Sequence, residues 1–145
     1  MSVDITGAGG AIDRNDSDRM DQHADLYYAE IRKRKSDIAA IAKNTGFSVD
    51  DVEKIKQHVF FNKYKLDGDE LQNFDPSYDM AVSWQRLIEG RNIQEMDIVL
   101  LYHELIEHKI MTEQDAPYHT AHRQANEKYN YQVYCDELDR KAGIR

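Results

Sequence analysis

The stretch from Gln94 to Thr112, QEMDIVLLYHELIEHKIMT, decides the fold class of this 145-residue chain. Its apolar residues recur at intervals of three and four, which is the period of an α-helix with one buried face. It lacks the strict alternation of apolar and polar residues that a half-buried strand shows. The period places these residues toward the core: Ile98, Leu101, Tyr102, Leu105 and Ile106. We therefore predict a helix from Gln94 to about Thr112.

Helix signals also cover most of the remaining chain. N-caps, C-capping glycines and opening prolines predict four further helices, which run from Ser17 to Asn44, from Ser48 to about Phe60, from Pro76 to Gly90 and from Asp115 to about Ala142. No alternating β-branched run occurs. The sequence therefore predicts an all-α fold, an irregular bundle of five or six helices. We expect one helical domain over residues 17–145, preceded by a flexible tail or linker over residues 1–16.

Composition and charge restrict the function classes. Hydrophobic residues make up 41% and charged residues 32% of the chain, which suits a globular domain. The net charge of -8 counts against a conventional DNA-binding protein, because the protein's field repels a phosphate backbone. It is less decisive against a nuclease with one local basic patch, and it would suit a basic protein partner. The single cysteine, Cys135, excludes an internal disulfide and a multi-cysteine zinc site, and we expect it to be a packing thiol.

No apolar run approaches the roughly 20 residues that a membrane-spanning helix needs. Residues 1–18 also lack the basic region followed by an apolar stretch that marks a secretory signal peptide. We therefore expect a soluble domain without a signal peptide of its own. Secretion through another machinery, or as part of a longer polypeptide, stays open.

The segment from Ile38 to Ile55 fits the spacing of a helix-turn-helix, with Gly46 at the turn. Its second helix would have to meet phosphate groups. That helix begins with acidic residues, which Lys54 and Lys56 offset only in part. We therefore prefer a structural corner, and a non-enzymatic DNA-binding or protein-interaction module remains the alternative function.

The helix from Gln94 to Thr112 carries the residues best suited to chemistry. His103 and Glu107 lie four apart on one face, and Glu104 and His108 do so on another. The pattern differs from the zinc-protease motif HExxH, because its histidines are five apart and point in different directions. A histidine beside a carboxylate can act as a general acid or base. An ordinary ion pair on the surface is the competing interpretation.

The next helix adds a second polar stripe, formed by Tyr118, His122 and Asn126 at intervals of four. A short connection could bring His122 toward His103 and Glu107. Those three residues are then a candidate ligand set for zinc, manganese or nickel. The cofactor stays open between a divalent metal ion and none, with metal-free acid/base catalysis slightly preferred. His58 could line the same cleft, but a polar helix end is its preferred interpretation.

Several short segments resemble C-terminal effector domains of bacterial polymorphic toxins, and related domains on phage head-morphogenesis proteins. The similar segments, within residues 27–131, are His58–Phe61, Phe74–Ala81, Ser83–Leu87, Leu101–Glu104 with Glu107, Tyr118–His122, and Ala125–Asn126 with Tyr129–Tyr131.

This resemblance implies an effector delivered as part of a larger secreted protein to the cytoplasm of a target bacterium, where a cognate immunity protein would neutralise it. Many such effectors are nucleases, so the resemblance implies a hydrolase that acts on RNA or DNA. The residues it implicates as the reactive group are His103, Glu104, Glu107 and His122, supported by Tyr118 and Arg86. The net charge of -8 departs from the more basic character of most nuclease toxins.

Overall fold

A computed structural model describes residues 13–144, and within them the regular secondary structure is helical apart from two short strands. Seven α-helices follow one another: α1 (Ser17–Lys33), α2 (Asp37–Thr45), α3 (Val49–Lys56), α4 (Tyr78–Glu89), α5 (Glu95–Glu113), α6 (Tyr118–Asn126) and α7 (Tyr131–Lys141). A π-helical turn, Gln57–Phe61, extends α3. Two short strands, β1 (Tyr64–Lys65) and β2 (Leu71–Gln72), pair antiparallel on either side of Gly68. The predicted all-α fold is confirmed.

Helix α5 lies at the centre of the bundle and packs against α3, α4, α6 and α7. The main core surrounds Trp84 and is formed by aromatic and branched side chains: Tyr27, Tyr28, Ile31, Ile41, Val52, Ile55, Val59, Phe60, Leu87 and Leu101. A smaller cluster joins α5 to α7 through Met96, Leu100, Tyr131 and Cys135. Cys135 is a buried free thiol, as predicted. Within residues 13–144, no helix is long and apolar enough to cross a membrane.

Two predicted long helices are each divided in the structure. The first is interrupted at Arg34, whose backbone is extended, and α2 then begins with the buried Asp37. The second ends at Asn126 and restarts after Asn130, whose side chain accepts a hydrogen bond from the backbone N–H of Val133. In a continuous helix that N–H would bind the carbonyl of Tyr129. The break therefore leaves the Tyr129 carbonyl free for another donor.

The predicted ends of the other helices agree with the structure. Gly46 and Gly90 follow α2 and α4 in the left-handed conformation, with φ of 84° and 70°. Ser48 caps α3 by accepting a hydrogen bond from Asp51. At Gly90 a larger residue would also be crowded, because its Cβ would lie 2.8 Å from the side chain of Asn44.

Four residues of the predicted tail precede α1 in the described part of the chain, and residues 1–12 lie outside it. Arg14 joins this segment to the helices, since its guanidinium lies 2.6 Å from Asp79 on α4 and 2.7 Å from Asp139 on α7. Asp16, rather than Ser17, caps α1 by accepting a hydrogen bond from the backbone of Arg19. Residues 13–16 therefore contact the helical domain.

A buried ion pair fixes the corner between α2 and α3. Lys56 Nζ lies 2.9 Å from Asp37 Oδ1, and both side chains are almost completely buried. Lys56 also donates to the carbonyl of Arg34, and Trp84 donates its indole N–H to Asp37 Oδ2 over 3.2 Å. Each charge is therefore satisfied by groups from another segment, as a buried charge requires.

Replacing one partner of this pair should destabilise the fold strongly. We expect Asp37→Ala to lower the free energy of unfolding by about 3–5 kcal/mol, because it leaves the Lys56 charge buried without its partner. Urea unfolding followed by circular dichroism measures the change. The matched control is Lys54→Ala, an exposed lysine two residues earlier, which should change stability by no more than about 0.5 kcal/mol. Equal losses in the two variants would contradict the role given to the pair.

Candidate functional site

Helix α5 buries an unusual number of charged and polar side chains. Asp97, His103, Glu104 and Glu107 are all at most 7% exposed. In contrast Tyr102, which the apolar period places in the core, is 39% exposed and stacks on Tyr129 at the surface. The prediction for Tyr102 is therefore wrong. The buried face of α5 therefore carries both apolar and ionisable side chains. The four buried ionisable groups each have a partner on another part of the chain or on α5 itself.

The partner of Asp97 is Arg86 on α4. The Arg86 guanidinium makes two hydrogen bonds to the carboxylate, of 2.7 and 2.8 Å, and Asp97 also accepts from the backbone N–H of Gln94. Arg86 is 7% exposed and does not line the cleft described below. The structure therefore does not bring Arg86 to the predicted reactive group, because Asp97 holds it in a structural ion pair.

The Glu107 carboxylate is the meeting point of three histidines. Its Oε1 lies 2.7 Å from Nε2 of His58. Its Oε2 lies 2.8 Å from Nδ1 of His122 and 3.2 Å from Nε2 of His103. His103 Nε2 and His122 Nδ1 are 3.3 Å apart. The predicted proximity of His122 to His103 and Glu107 is therefore confirmed.

His58 is the member of this group that the sequence interpretation missed. The preferred interpretation as a polar helix end is wrong, since the side chain is completely buried. His58 lies in the π-helical turn that extends α3, three residues after Ile55 and next to Val59, which are both buried. This placement on the apolar face was a signal in the sequence that the residue points inward.

Hydrogen bonds join His58 to groups on both sides of its ring. An ionised Glu107 can only accept, so His58 Nε2 donates to it. Nδ1 lies 2.7 Å from the hydroxyl of Tyr64. The same hydroxyl oxygen accepts from the amide of Asn62 at 3.0 Å. A chain of hydrogen bonds therefore connects Asn62, Tyr64, His58 and Glu107.

The two glutamates of the site have opposite protonation tendencies. Burial raises the pKa of Glu104, and the charge of Glu107 and a hydrogen bond between the two carboxyl groups raise it further. Burial alone would also raise the pKa of Glu107, but the hydrogen bonds from His103, His122 and His58 outweigh it and hold that pKa below its ordinary value. Of the two, Glu104 therefore holds its proton more strongly and Glu107 ionises more readily, a division of roles typical of catalytic carboxyl pairs.

Apart from His58, the members of the cluster line an open cleft of about 280 Å³. His122 is its most accessible member, with 40% of its side chain exposed. The Tyr118 hydroxyl lies 3.3 Å from His122 Nδ1, and burial raises the pKa of that hydroxyl. The remaining lining side chains are mostly apolar or aromatic: Leu66, Phe74, Asp75, Met80, Asn126, Tyr131 and Gln132. The predicted stripe of Tyr118, His122 and Asn126 thus faces the cleft.

Two overlapping sets of side chains have the composition of a metal site. The first is the predicted one, His103, Glu107 and His122. The second consists of His58, Glu104 and Glu107 and is fully buried. In each set the candidate ligand atoms lie within 4.8 Å of one another. Glu107 belongs to both sets, with one oxygen directed to each.

The corner between α2 and α3 has the form that the helix-turn-helix spacing predicts. However, the Lys56 ammonium is buried against Asp37 and cannot reach a phosphate group. Asp50, in the first turn of the second helix, is exposed. These placements remove one of the two lysines on which the DNA-binding alternative depends.

Comparisons with protein-family models, with curated proteins and with solved structures gave no match.

The division of roles between the two glutamates can be tested by neutral substitution. In metal-free buffer at pH 7 we expect Glu107→Gln to lower the free energy of unfolding by at least about 2 kcal/mol, because the histidines lose a charged acceptor. Glu104→Gln replaces an already neutral group and should change it by less than about 1 kcal/mol. Chemical denaturation of the two variants provides the comparison. A larger loss for Glu104→Gln than for Glu107→Gln would contradict the assignment.

Proposed function

We propose that this chain is an effector domain of the bacterial polymorphic-toxin type that hydrolyses nucleic acid. The observation that carries the proposal is the convergence of three histidines on the Glu107 carboxylate beside an open cleft. Burying a carboxylate and three imidazoles together is costly unless each group is paired. Such a cluster, with its carboxyl pKa values driven apart, is typical of catalytic sites.

The chemistry assigned to the site is the activation of a water molecule followed by proton donation. His103, Glu107 and His122 form the polar triangle at which the attacking water would bind, and an imidazole of this triangle would accept the proton that the water loses. His122 is its accessible corner. Glu104 and the Tyr118 hydroxyl also line the cleft and retain their protons. They are the candidates to protonate the leaving oxygen, as general acids do.

Nucleic acid is the substrate class that the resemblance to toxin effectors favours. The aromatic wall of the cleft is compatible with it, since Phe74 and Tyr118, whose ring centres are 5.1 Å apart, offer a surface on which a base can stack. The net charge of -8 is unfavourable for long-range attraction of a nucleic acid. It is favourable for a basic immunity protein, which we propose as the cognate partner. Delivery within a larger secreted protein and action in the cytoplasm of the target bacterium belong to the same proposal.

Expression of the chain in bacteria should arrest growth and degrade RNA or DNA. We expect His122→Ala to restore growth and to lower the rate of nucleic-acid cleavage by the purified protein at least about 100-fold, the size of effect associated with general acid/base catalysis. Growth curves at equal expression levels and gel assays of RNA and DNA provide the measurements.

The matched control is His119→Ala, which removes an exposed histidine of the same helix that contacts the backbone of Leu66 rather than Glu107. It should remain as toxic as the wild type. Normal growth at verified high expression of the folded wild-type chain, together with intact RNA and DNA, would refute the proposed function.

A further inference from the structure

We propose that Nε2 of His103, Oε2 of Glu107 and Nδ1 of His122 bind one divalent transition-metal ion, for which zinc is the best match. The proposal concerns the same site as the proposed function. Binding of the ion is independent of that function, and only its role in hydrolysis rests on it. Two imidazole nitrogens and one carboxylate oxygen are a ligand set typical of zinc sites that keep a fourth position open.

The distances between the three candidate ligand atoms support a tetrahedral ion. Tetrahedral ligands are separated by about 1.6 bond lengths, so bonds of about 2.0–2.2 Å place them about 3.3–3.6 Å apart. His103 Nε2 lies 3.3 Å from His122 Nδ1 and 3.2 Å from Glu107 Oε2. The third separation, between Glu107 Oε2 and His122 Nδ1, is 2.8 Å. A small movement of the half-exposed His122 ring would bring that edge to the same length.

The orientation of the His103 ring provides a second observation. Its Nδ1 lies 2.8 Å from the carbonyl oxygen of Tyr129, which can only accept, so Nδ1 donates a hydrogen bond to it. This contact directs the buried Nε2 toward Oε2 of Glu107, 3.2 Å away. A histidine ligand that donates its other N–H to a backbone carbonyl is the usual arrangement in metal sites. A bound metal ion would take the place of the proton between Nε2 and Oε2.

Accessibility selects this set over the buried one. All three members of the second set are buried, and His58 does not line the cleft. His58 Nε2 instead makes a 2.7 Å hydrogen bond to Glu107 Oε1, the oxygen that faces away from the first set. His58 therefore orients Glu107 from behind, and the first set, which includes the accessible His122, retains a route to the cleft.

The charge of the cleft also favours a bound cation. This argument, unlike the others, depends on the proposed function. Asp75, Glu104 and Glu107 line the cleft, whereas the residues described as lining it include no lysine or arginine. Arg86 cannot supply the missing charge, because Asp97 binds it. A divalent ion on the cleft side of Glu107 would provide the positive charge that a phosphate group needs, as metal ions do in phosphoryl hydrolysis.

Isothermal titration of the full chain, stripped of metal by a chelator that is then dialysed away, tests the proposal with Zn²⁺ itself as the probe. We expect one ion per chain for the wild type and at least about 100-fold weaker binding for His122→Ala. His119→Ala on the same helix should bind as the wild type does. Circular dichroism establishes that the variants are folded. As a second measurement, Co²⁺ bound to the wild type should show the intense visible absorption typical of tetrahedral coordination.

An absence of Zn²⁺ binding by the folded wild type, unchanged binding by His122→Ala, or a weak octahedral Co²⁺ spectrum would each overturn the proposal. The outcome can be separated from that of the proposed function. Zinc binding without any cleavage of RNA or DNA would refute the nuclease function and leave the metal site standing. Full cleavage activity in a chain that binds no zinc would refute the metal site alone.

Discussion

The burial of the Glu107 carboxylate is the constraint around which the central part of this structure is organised. Removing an ionised carboxylate from water costs several kcal/mol, which the surrounding hydrogen bonds must offset. The donors come from three separate segments: His58 from the turn after α3, His103 from α5 itself and His122 from α6. Because no single segment can satisfy Glu107, its burial requires α3 and α6 to pack against α5.

The burial of Glu107 also depends on two irregularities of the helices, which position His58 and His103. The π-helical turn holds His58 against α5, and the interruption between α6 and α7 frees the Tyr129 carbonyl that fixes the ring of His103. Both are departures from regular α-helix at the ends of elements that contact the site. Such departures are common near functional sites, where a local irregularity re-aims a side chain or frees a backbone group.

The sequence was sufficient to predict the helical fold, most helix ends and the proximity of His103, Glu107 and His122, because these depend on local signals and on the period of the helix. It did not predict His58 as a partner, the exposure of Tyr102 or the engagement of Arg86 by Asp97. Periodicity assumes that polar residues face water, whereas the buried face of α5 carries polar groups. Their partners are up to 49 positions away along the chain, as for His58 and Glu107, and no local pattern reveals such a pairing.

Two further buried carboxylates, those of Asp37 and Asp97, show how Glu107 differs from a purely structural anion. Asp37 is satisfied by the Lys56 ammonium and an indole N–H, and Asp97 by the Arg86 guanidinium and a backbone N–H. Those donors hold their protons throughout the physiological pH range. Glu107 is instead surrounded by imidazoles, which can give up a proton or bind a metal near neutral pH. A carboxylate that served only the fold would be better satisfied by permanent donors in a closed site. The choice of histidines, together with the open side at His122, is the physical reason to assign function to Glu107 and structure to the other two.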